Sequence, residues 1–220
     1  MNLDIVEYGR FQPRSVLALL RGIIMHKMKY VVGIDEAGRG PLAGPVAIGA
    51  VMIPHDFHKQ FFIGIKDSKK LLPADRELWF ELAQEARRLG NMDFTVSLIS
   101  EKVIDRRGIV WAIRLGIKRC FKKLGVASDA QIFLDGSLKA PDAFIHQTTV
   151  IRGDEKIPVI SLASICAKVV RDRKMVRLAK KFPEFDFHLH KGYGTLRHIQ
   201  AIRKYGLTEI HRRSFLKKLT

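Results

Sequence analysis

The sequence predicts one mixed α/β domain, a β-sheet flanked by helices, ending in a basic helical extension. Three observations carry this. Strand-like runs come first and helical periods are interleaved later, the order of a layered sheet-and-helix fold. No internal repeat, low-complexity tract or linker divides the chain. Its 220 residues, 47% hydrophobic, suffice to bury one sizeable core.

Residues 1–29 form a weakly patterned N-terminal extension. Within it the spacing of Val16, Leu17, Leu20, Ile23 and Ile24 suits an amphipathic helix packed on the main domain. Arg21 interrupts this stretch, which is too short to span a bilayer and lacks a signal-peptide cleavage site, so a soluble, cytoplasmic protein without membrane contact is expected. The main domain is placed over residues 30–182. Its first two strands, Tyr30 to Ile34 and Val46 to Ile53, are joined by a glycine- and proline-rich turn as a hairpin-like pair. Pro73 opens a helix through Arg88 that stops at Gly90, and Phe94 to Leu98 is the third strand. Ser100 is placed as the cap of one long helix to Leu124, with Glu101 in its first turn. Gln131 to Leu134 makes a fourth strand ending in Asp135 and Gly136, and His146 to Ile151 a fifth ending near Asp154. A helix from Ser161 to Lys181 stops before Pro183. Residues 183–220 continue the same domain as a basic helical region, with "HLHKGYGT" as a loop and Gly206 as an internal stop. Cys120 and Cys166 fall on apolar helix faces without a Cys-x-x-Cys or a histidine at metal spacing, and read as reduced core thiols.

The formal charge is +17, from 39 basic against 22 acidic residues. That excess calls for a polyanionic partner, nucleic acid ahead of an acidic membrane face. A thermophile-type surface would raise Glu alongside Lys, and here the acids lag behind. The clusters "RKMVRLAKK", "HIQAIRKYG" and "HRRSFLKK" put the late positive charge on helical faces, where it would contact phosphates without sequence preference.

Asp35, Asp135 and Asp154 each come at or just after a predicted strand end, where a rigid sheet can bring distant residues together, and Glu36 follows Asp35 directly. Any one alone reads as a turn or capping acid. Together, in so basic a chain, they read as a carboxylate set. Hard oxygen ligands suit Mg²⁺ or Mn²⁺ rather than zinc. Two such ions about 4 Å apart clamp the attacking and leaving oxygens of an in-line phosphodiester displacement. Asp172 competes with Asp154 for the fourth place, but it sits inside a predicted helix one turn from Lys168, with which it can pair. The glycines of Gly38, Arg39 and Gly40 allow a backbone close enough to bond a 2′-hydroxyl, with a plain turn and a solvated arginine as the alternative. Lys69 and Lys70, after Asp67 and Ser68, sit in a helix-opening loop that suits phosphate, or are a solvated pair. His188, His190, His198 and His211 lack cysteine partners and read as packing or backbone contacts, with His190 within reach of phosphate.

The segments "GIDEAGRGPLAGPV", "DSKKL", "FLDG", "SLASICAKVVRDR", "HKGYGT" and "HRRSF" occur in the order, and at roughly the spacing, of the type 2 ribonucleases H. Over about residues 30 to 215 the chain most resembles the bacterial ribonuclease HII family. The resemblance implies a ribonuclease H-like fold and a metal-dependent endonuclease. Such an enzyme cuts the RNA strand of RNA:DNA hybrids, nicks DNA duplexes at embedded ribonucleotides, and leaves a 3′-hydroxyl and a 5′-phosphate. It implies Asp35, Glu36, Asp135 and Asp154 as catalytic ligands of Mg²⁺ or Mn²⁺, with two ions expected. It further implies the Gly38–Arg39–Gly40 turn as reader of the 2′-hydroxyl and Tyr193 as the ring that stacks on the sugar beside the scissile bond. A monomer is expected, and a sliding clamp or a polymerase at the C-terminus is the protein contact to look for. Two rival readings compete. A structure-specific DNA nuclease such as a junction resolvase would use similar acids but needs no 2′-hydroxyl sensor. A non-catalytic RNA-binding module explains the charge but leaves the strand-end acids without a purpose.

Overall fold

Tyr30–Ala37 (β1) lies at the centre of a five-stranded sheet in a computed structural model that describes residues 30–65 and 70–217. The expected N-terminal helix and Lys69 lie outside the described residues. The run Val31 to Ile34 in β1 is apolar apart from Gly33, as a strand covered on both faces requires. β2 (Val46–Pro54) pairs antiparallel with β1, and β3 (Asp93–Ile99) antiparallel with β2. On the other side β4 (Gln131–Asp135) runs parallel to β1, and β5 (Gln147–Val150) parallel to β4. The order β3-β2-β1-β4-β5 is the mixed sheet expected from the sequence.

Helices cover both faces. α1 (Pro73–Arg88) follows β2, α2 (Glu101–Arg107) and α3 (Ile109–Leu124) follow β3, and the short α4 (Gly153–Lys156) leads into α5 (Pro158–Ala179). α5 and α1 bury Val51, Phe94 and Val159 on one face, while α3 buries Val32, Ile34, Ile48 and Leu134 on the other. The C-terminal region comprises α6 (Phe187–His190), α7 (Leu196–Tyr205) and α8 (Arg213–Leu216). It packs a third apolar cluster, with Phe185, Phe187 and Ile210, against Ala43 and the end of α5 at Met175. Cys120 and Cys166 are free and buried, and burial pushes the Cys120 thiol up to about 12, so neither is a ready thiolate.

Several boundaries differ from expectation. β1 runs past Ile34 through Ala37, because Asp35, Glu36 and Ala37 keep their pairing with β2. The single helix expected from Ser100 to Leu124 is two, broken at Gly108, whose φ of 82° places it outside helical space. Ser100 occupies the cap position without a side-chain capping bond. The helix expected to start at Ser161 starts at Pro158, a residue suited to a first turn. Part of "HLHKGYGT" is helical, as α6. Gly206, by contrast, ends α7 as expected, with a φ of 77°.

Candidate active site

Strand alternation decides which acids meet. Gly33, Asp35 and Ala37 on β1, and Phe133 and Asp135 on β4, point to the α5 side, opposite Ile34 and Leu134. β1 and β4 are parallel with Ile34 beside Leu134, so Asp35 and Asp135 stand at one level on neighbouring strands. Gly33 and Gly49, the latter paired with Asp35, let α5 lie directly on the sheet. A Cβ at either would collide with the α5 backbone at Val159 or Ala163. That close approach brings the Ser164 hydroxyl of α5 to the Asp35 carboxylate.

Asp154 reaches the same place by a different route. The backbone N–H groups of Gly153 and Asp154 donate to Asp135 Oδ1 at 2.6 and 3.4 Å, which fixes α4 against the end of β4. Ser161 Oγ donates to the Asp154 carbonyl at 2.6 Å. A Cβ at Gly153 would press on the Ile160 side chain and come within 3.3 Å of the Asp135 carboxylate, so the joint is tight. Glu36, at the end of β1, receives Arg39 Nη1 at 3.4 Å, and the same atom donates to Ser137 Oγ at 3.4 Å.

The electrostatics follow from this crowding. Burial, then the charges of Glu36 and Asp135, hold the Asp35 carboxyl well above the usual range, against the Ser164 hydrogen bond. Burial also raises Glu36, with Arg39 opposing and Asp135 adding to the rise. Among the described residues no group of three His, Cys, Asp or Glu side chains is set to hold a metal ion as it stands. The donor set nevertheless fits a hard divalent cation in chemistry and charge. It is all carboxylate, it accumulates negative charge at one end of the sheet, and Asp35 Oδ1 and Asp135 Oδ1 are oriented by backbone N–H donors.

Beside the acids lies the glycine turn, and two buried arginines fix it. Arg212 is fully buried and donates to three carbonyls: Gly38 at 2.7 Å, Arg39 at 2.9 Å and Gly44 at 2.9 Å. Arg171, also buried, donates to Pro45 at 2.9 Å and Ala43 at 3.3 Å. Burial and the neighbouring Arg171 pull the Arg212 pKa below the ordinary arginine value, yet a guanidinium stays charged under such conditions. Gly38 has a φ of 84°, and a Cβ there would strike the Arg171 guanidinium. Gly40 has open space around it, so no steric demand singles it out.

The turn is bonded directly to the loop of Tyr193. The amides of Leu42 and Ala43 donate to the Gly192 carbonyl at 2.8 and 3.3 Å. Tyr193 is 44% exposed, with its ring 5.9 Å from the Arg171 guanidinium. Its carbonyl accepts from His198 Nδ1 at 2.8 Å, which leaves His198 Nε2 to accept from His211 Nε2 at 3.1 Å. His211 Nδ1 in turn accepts from the Thr208 amide at 2.9 Å. The donor and acceptor roles in this relay suit uncharged imidazoles at His198 and His211, and burial lowers both to about 4.

The structure therefore brings Asp35, Glu36, Asp135 and Asp154 to one end of the sheet, beside Gly38, Arg39, Gly40 and the loop of Tyr193. Lys70 reaches the edge of this patch through an ion pair with Glu155 at 3.3 Å. Asp172 pairs with Lys168 at 3.0 Å. His190 and His198 stack on each other, His211 packs tilted against His198, and all three meet Phe187 edge-on or tilted, as packing residues do. The phosphate-contact reading of the "HRRSF" arginines is corrected at Arg212, which is buried under the turn. Sequence reasoning missed Arg171, Arg212, Ser164 and Gly153; the first three lie within the quoted motifs, while Gly153 stands outside them, next to Asp154.

This chain matches the family described as ribonuclease HII over residues 32–218. It is 42% identical over 192 residues to the ribonuclease HII of Caldicellulosiruptor bescii, covering 87% of this chain and 88% of that one. Among solved structures it is similar to the ribonuclease H2 of Pyrococcus horikoshii, at 30% identity and a TM-score of 0.64 over 86% of this chain and 96% of that one. It is also similar to the PCNA:RNase HII complex structure from Archaeoglobus fulgidus, at 28% identity and a TM-score of 0.64 over 86% and 95%.

Proposed function

The chain belongs to the ribonuclease HII family, a ribonuclease H acting as an endonuclease on RNA:DNA hybrids, and from that premise we propose a metal-dependent enzyme that also nicks duplex DNA at embedded ribonucleotides. The observation that carries this is the pairing of two parts: the buried Asp35 carboxylate beside the half-buried Asp135 on the adjacent parallel strand, and a glycine turn whose backbone is fixed beside them. Asp35, Glu36, Asp135 and Asp154 would hold Mg²⁺ or Mn²⁺, in two sites, and ions bound there polarise the phosphoryl oxygen and make water a nucleophile at neutral pH.

The chain's own residues do the rest. The turn at Gly38, Arg39 and Gly40 faces the 2′-hydroxyl with backbone groups already oriented, so little reorganisation is needed when the ribonucleotide arrives. The ring of Tyr193 stacks on the adjoining sugar. Arg39, Lys70 and Lys69 hold phosphates, and the acids exclude a phosphate from their pocket unless cations accompany it. The cut leaves a 3′-hydroxyl and a 5′-phosphate. The protein acts as a monomer, and a sliding clamp, as in the Archaeoglobus complex, is its proposed docking partner.

The test is an end-labelled RNA:DNA hybrid incubated with the full chain and Mg²⁺, Mn²⁺ or EDTA. Cleavage with either ion, none in EDTA, and products that a polymerase extends are expected. Undiminished cleavage in EDTA, or products that cannot be extended, would overturn the metal-dependent reading.

A further inference from the structure

Helix α3 carries Arg114, Lys118, Arg119, Lys122 and Lys123 and not one acidic residue. It also exposes two apolar side chains, Val110 and Trp111, at 52% and 41%, and the Arg107 guanidinium lies 5.1 Å from the Trp111 ring. Between this face and the loop after β4 run two grooves. One is lined by Arg39, Val110, Arg114 and Lys139, the other by Trp111, Arg114, Lys118 and Lys139. The shared Arg114 and Lys139 make them one channel that starts at Arg39, beside the acids. Among the described residues the one carboxylate lining it is Asp142, engaged by Lys139 at 2.8 Å.

We propose that this channel takes the sugar–phosphate backbone of the duplex flanking the cleavage site, with Arg114 and Lys118 on phosphates and Trp111 against a sugar. The proposal rests on the nuclease reading above and extends it to a surface outside the acids, the turn and the tyrosine loop. Charge complementarity selects the occupant. A row of cations with an aromatic among them suits a nucleic-acid strand, whereas an apolar protein surface would leave the guanidinium and ammonium groups without partners. From Val110 to Lys118 the helix rises about 12 Å, the axial length of three to four nucleotides at about 3.4 Å per phosphate in each strand.

The experiment measures duplex binding by anisotropy of a labelled hybrid, in EDTA so that the substrate stays whole, across a salt series. Arg114→Ala with Lys118→Ala should make the log–log salt slope shallower by about 1.8, two contacts at about 0.9 each. Arg87→Ala with Arg88→Ala removes equal charge at the far end of β1, where Arg87 lines a hollow with Tyr30, and should leave the slope unchanged. Of the two tryptophans, Trp79 is buried, so an emission change on binding reports on Trp111 and should vanish in Trp111→Phe. An unchanged slope in the first double variant, equal slopes in the two double variants, or saturation without an emission change would overturn the channel. If the wild-type chain binds and cuts the hybrid while the channel variants match it, only the channel is wrong. If the wild-type chain neither binds nor cuts any hybrid, the nuclease reading falls first and the channel with it.

Discussion

Replacing Arg212 by methionine should loosen the glycine turn and cost both stability and ribonucleotide preference. The substitution keeps a long stem but removes the donors to the carbonyls of Gly38, Arg39 and Gly44 in a site with no solvent exposure. Each buried carbonyl left without a donor costs about 1–3 kcal/mol. Relief of the guanidinium's own desolvation works the other way, so the low end of that range applies and the net loss is about 3 kcal/mol. In a domain of this size each kcal/mol moves Tm by about 2–4 °C, which gives a fall of about 6–12 °C in calorimetry. Hydrogen exchange should quicken at the amides of Leu42, Ala43 and Gly44, whose bonds tie the turn to Gly192 and Ile210. Arg212→Lys should give little rescue, because a single ammonium cannot serve three carbonyls spread in this way. A variant that melts within 2 °C of wild type (about 1 kcal/mol or less) and keeps its preference for ribonucleotides would refute the idea that this guanidinium holds the reader.

Three further outcomes are expected. Asp135→Asn should lower cleavage by about 10³-fold while duplex binding, measured by anisotropy, persists or tightens; near wild-type turnover in Mg²⁺ would remove Asp135 from the metal site. Tyr193→Ala should depress cleavage at a single embedded ribonucleotide far more than it weakens duplex affinity, and an equal loss of affinity for all duplexes with unchanged turnover would make Tyr193 a general contact. The His198–His211 pair favours the neutral form in the folded state, so its stabilisation is fully present above about pH 6.5 and lost as pH falls towards about 4. Burial raises the Asp35 pKa and so works in the opposite sense, so the check is NMR titration of the two imidazoles themselves; midpoints near 6.5 would contradict the neutral relay.

The acids were legible because sheet physics leaves a mark on sequence. Runs such as Val31 to Ile34 and Ile132 to Leu134 announce buried strands, and carboxylates that follow them directly are then confined to one end of the sheet. What holds those acids was not legible. Gly33 and Gly49 look like weak points in strands until α5 is seen lying on them. Gly108 is tolerable in a helical pattern by composition alone, and only its positive φ shows that the helix breaks there. Arg212 read as a phosphate contact because a sequence gives the donor but not the distant carbonyls that converge on it, about 170 residues away in the case of Gly38. The cationic face of α3 was overlooked for a simpler reason. Its lysines and arginines are interleaved with core residues at helical spacing, so they dilute into an amphipathic pattern instead of standing out as a run.

The most direct measurement compares kcat/KM for two duplexes identical except that one carries a single ribonucleotide where the other has a deoxyribonucleotide, with Mg²⁺ or Mn²⁺ present. A site built to bond one hydroxyl rejects the analogue lacking it by about 10⁴-fold or more, and cleavage confined to the ribonucleotide duplex is the result this account predicts. Comparable cleavage of the two would mean that the turn at Gly38 and the ring of Tyr193 read something other than the 2′-hydroxyl, and that the acids serve a general nuclease.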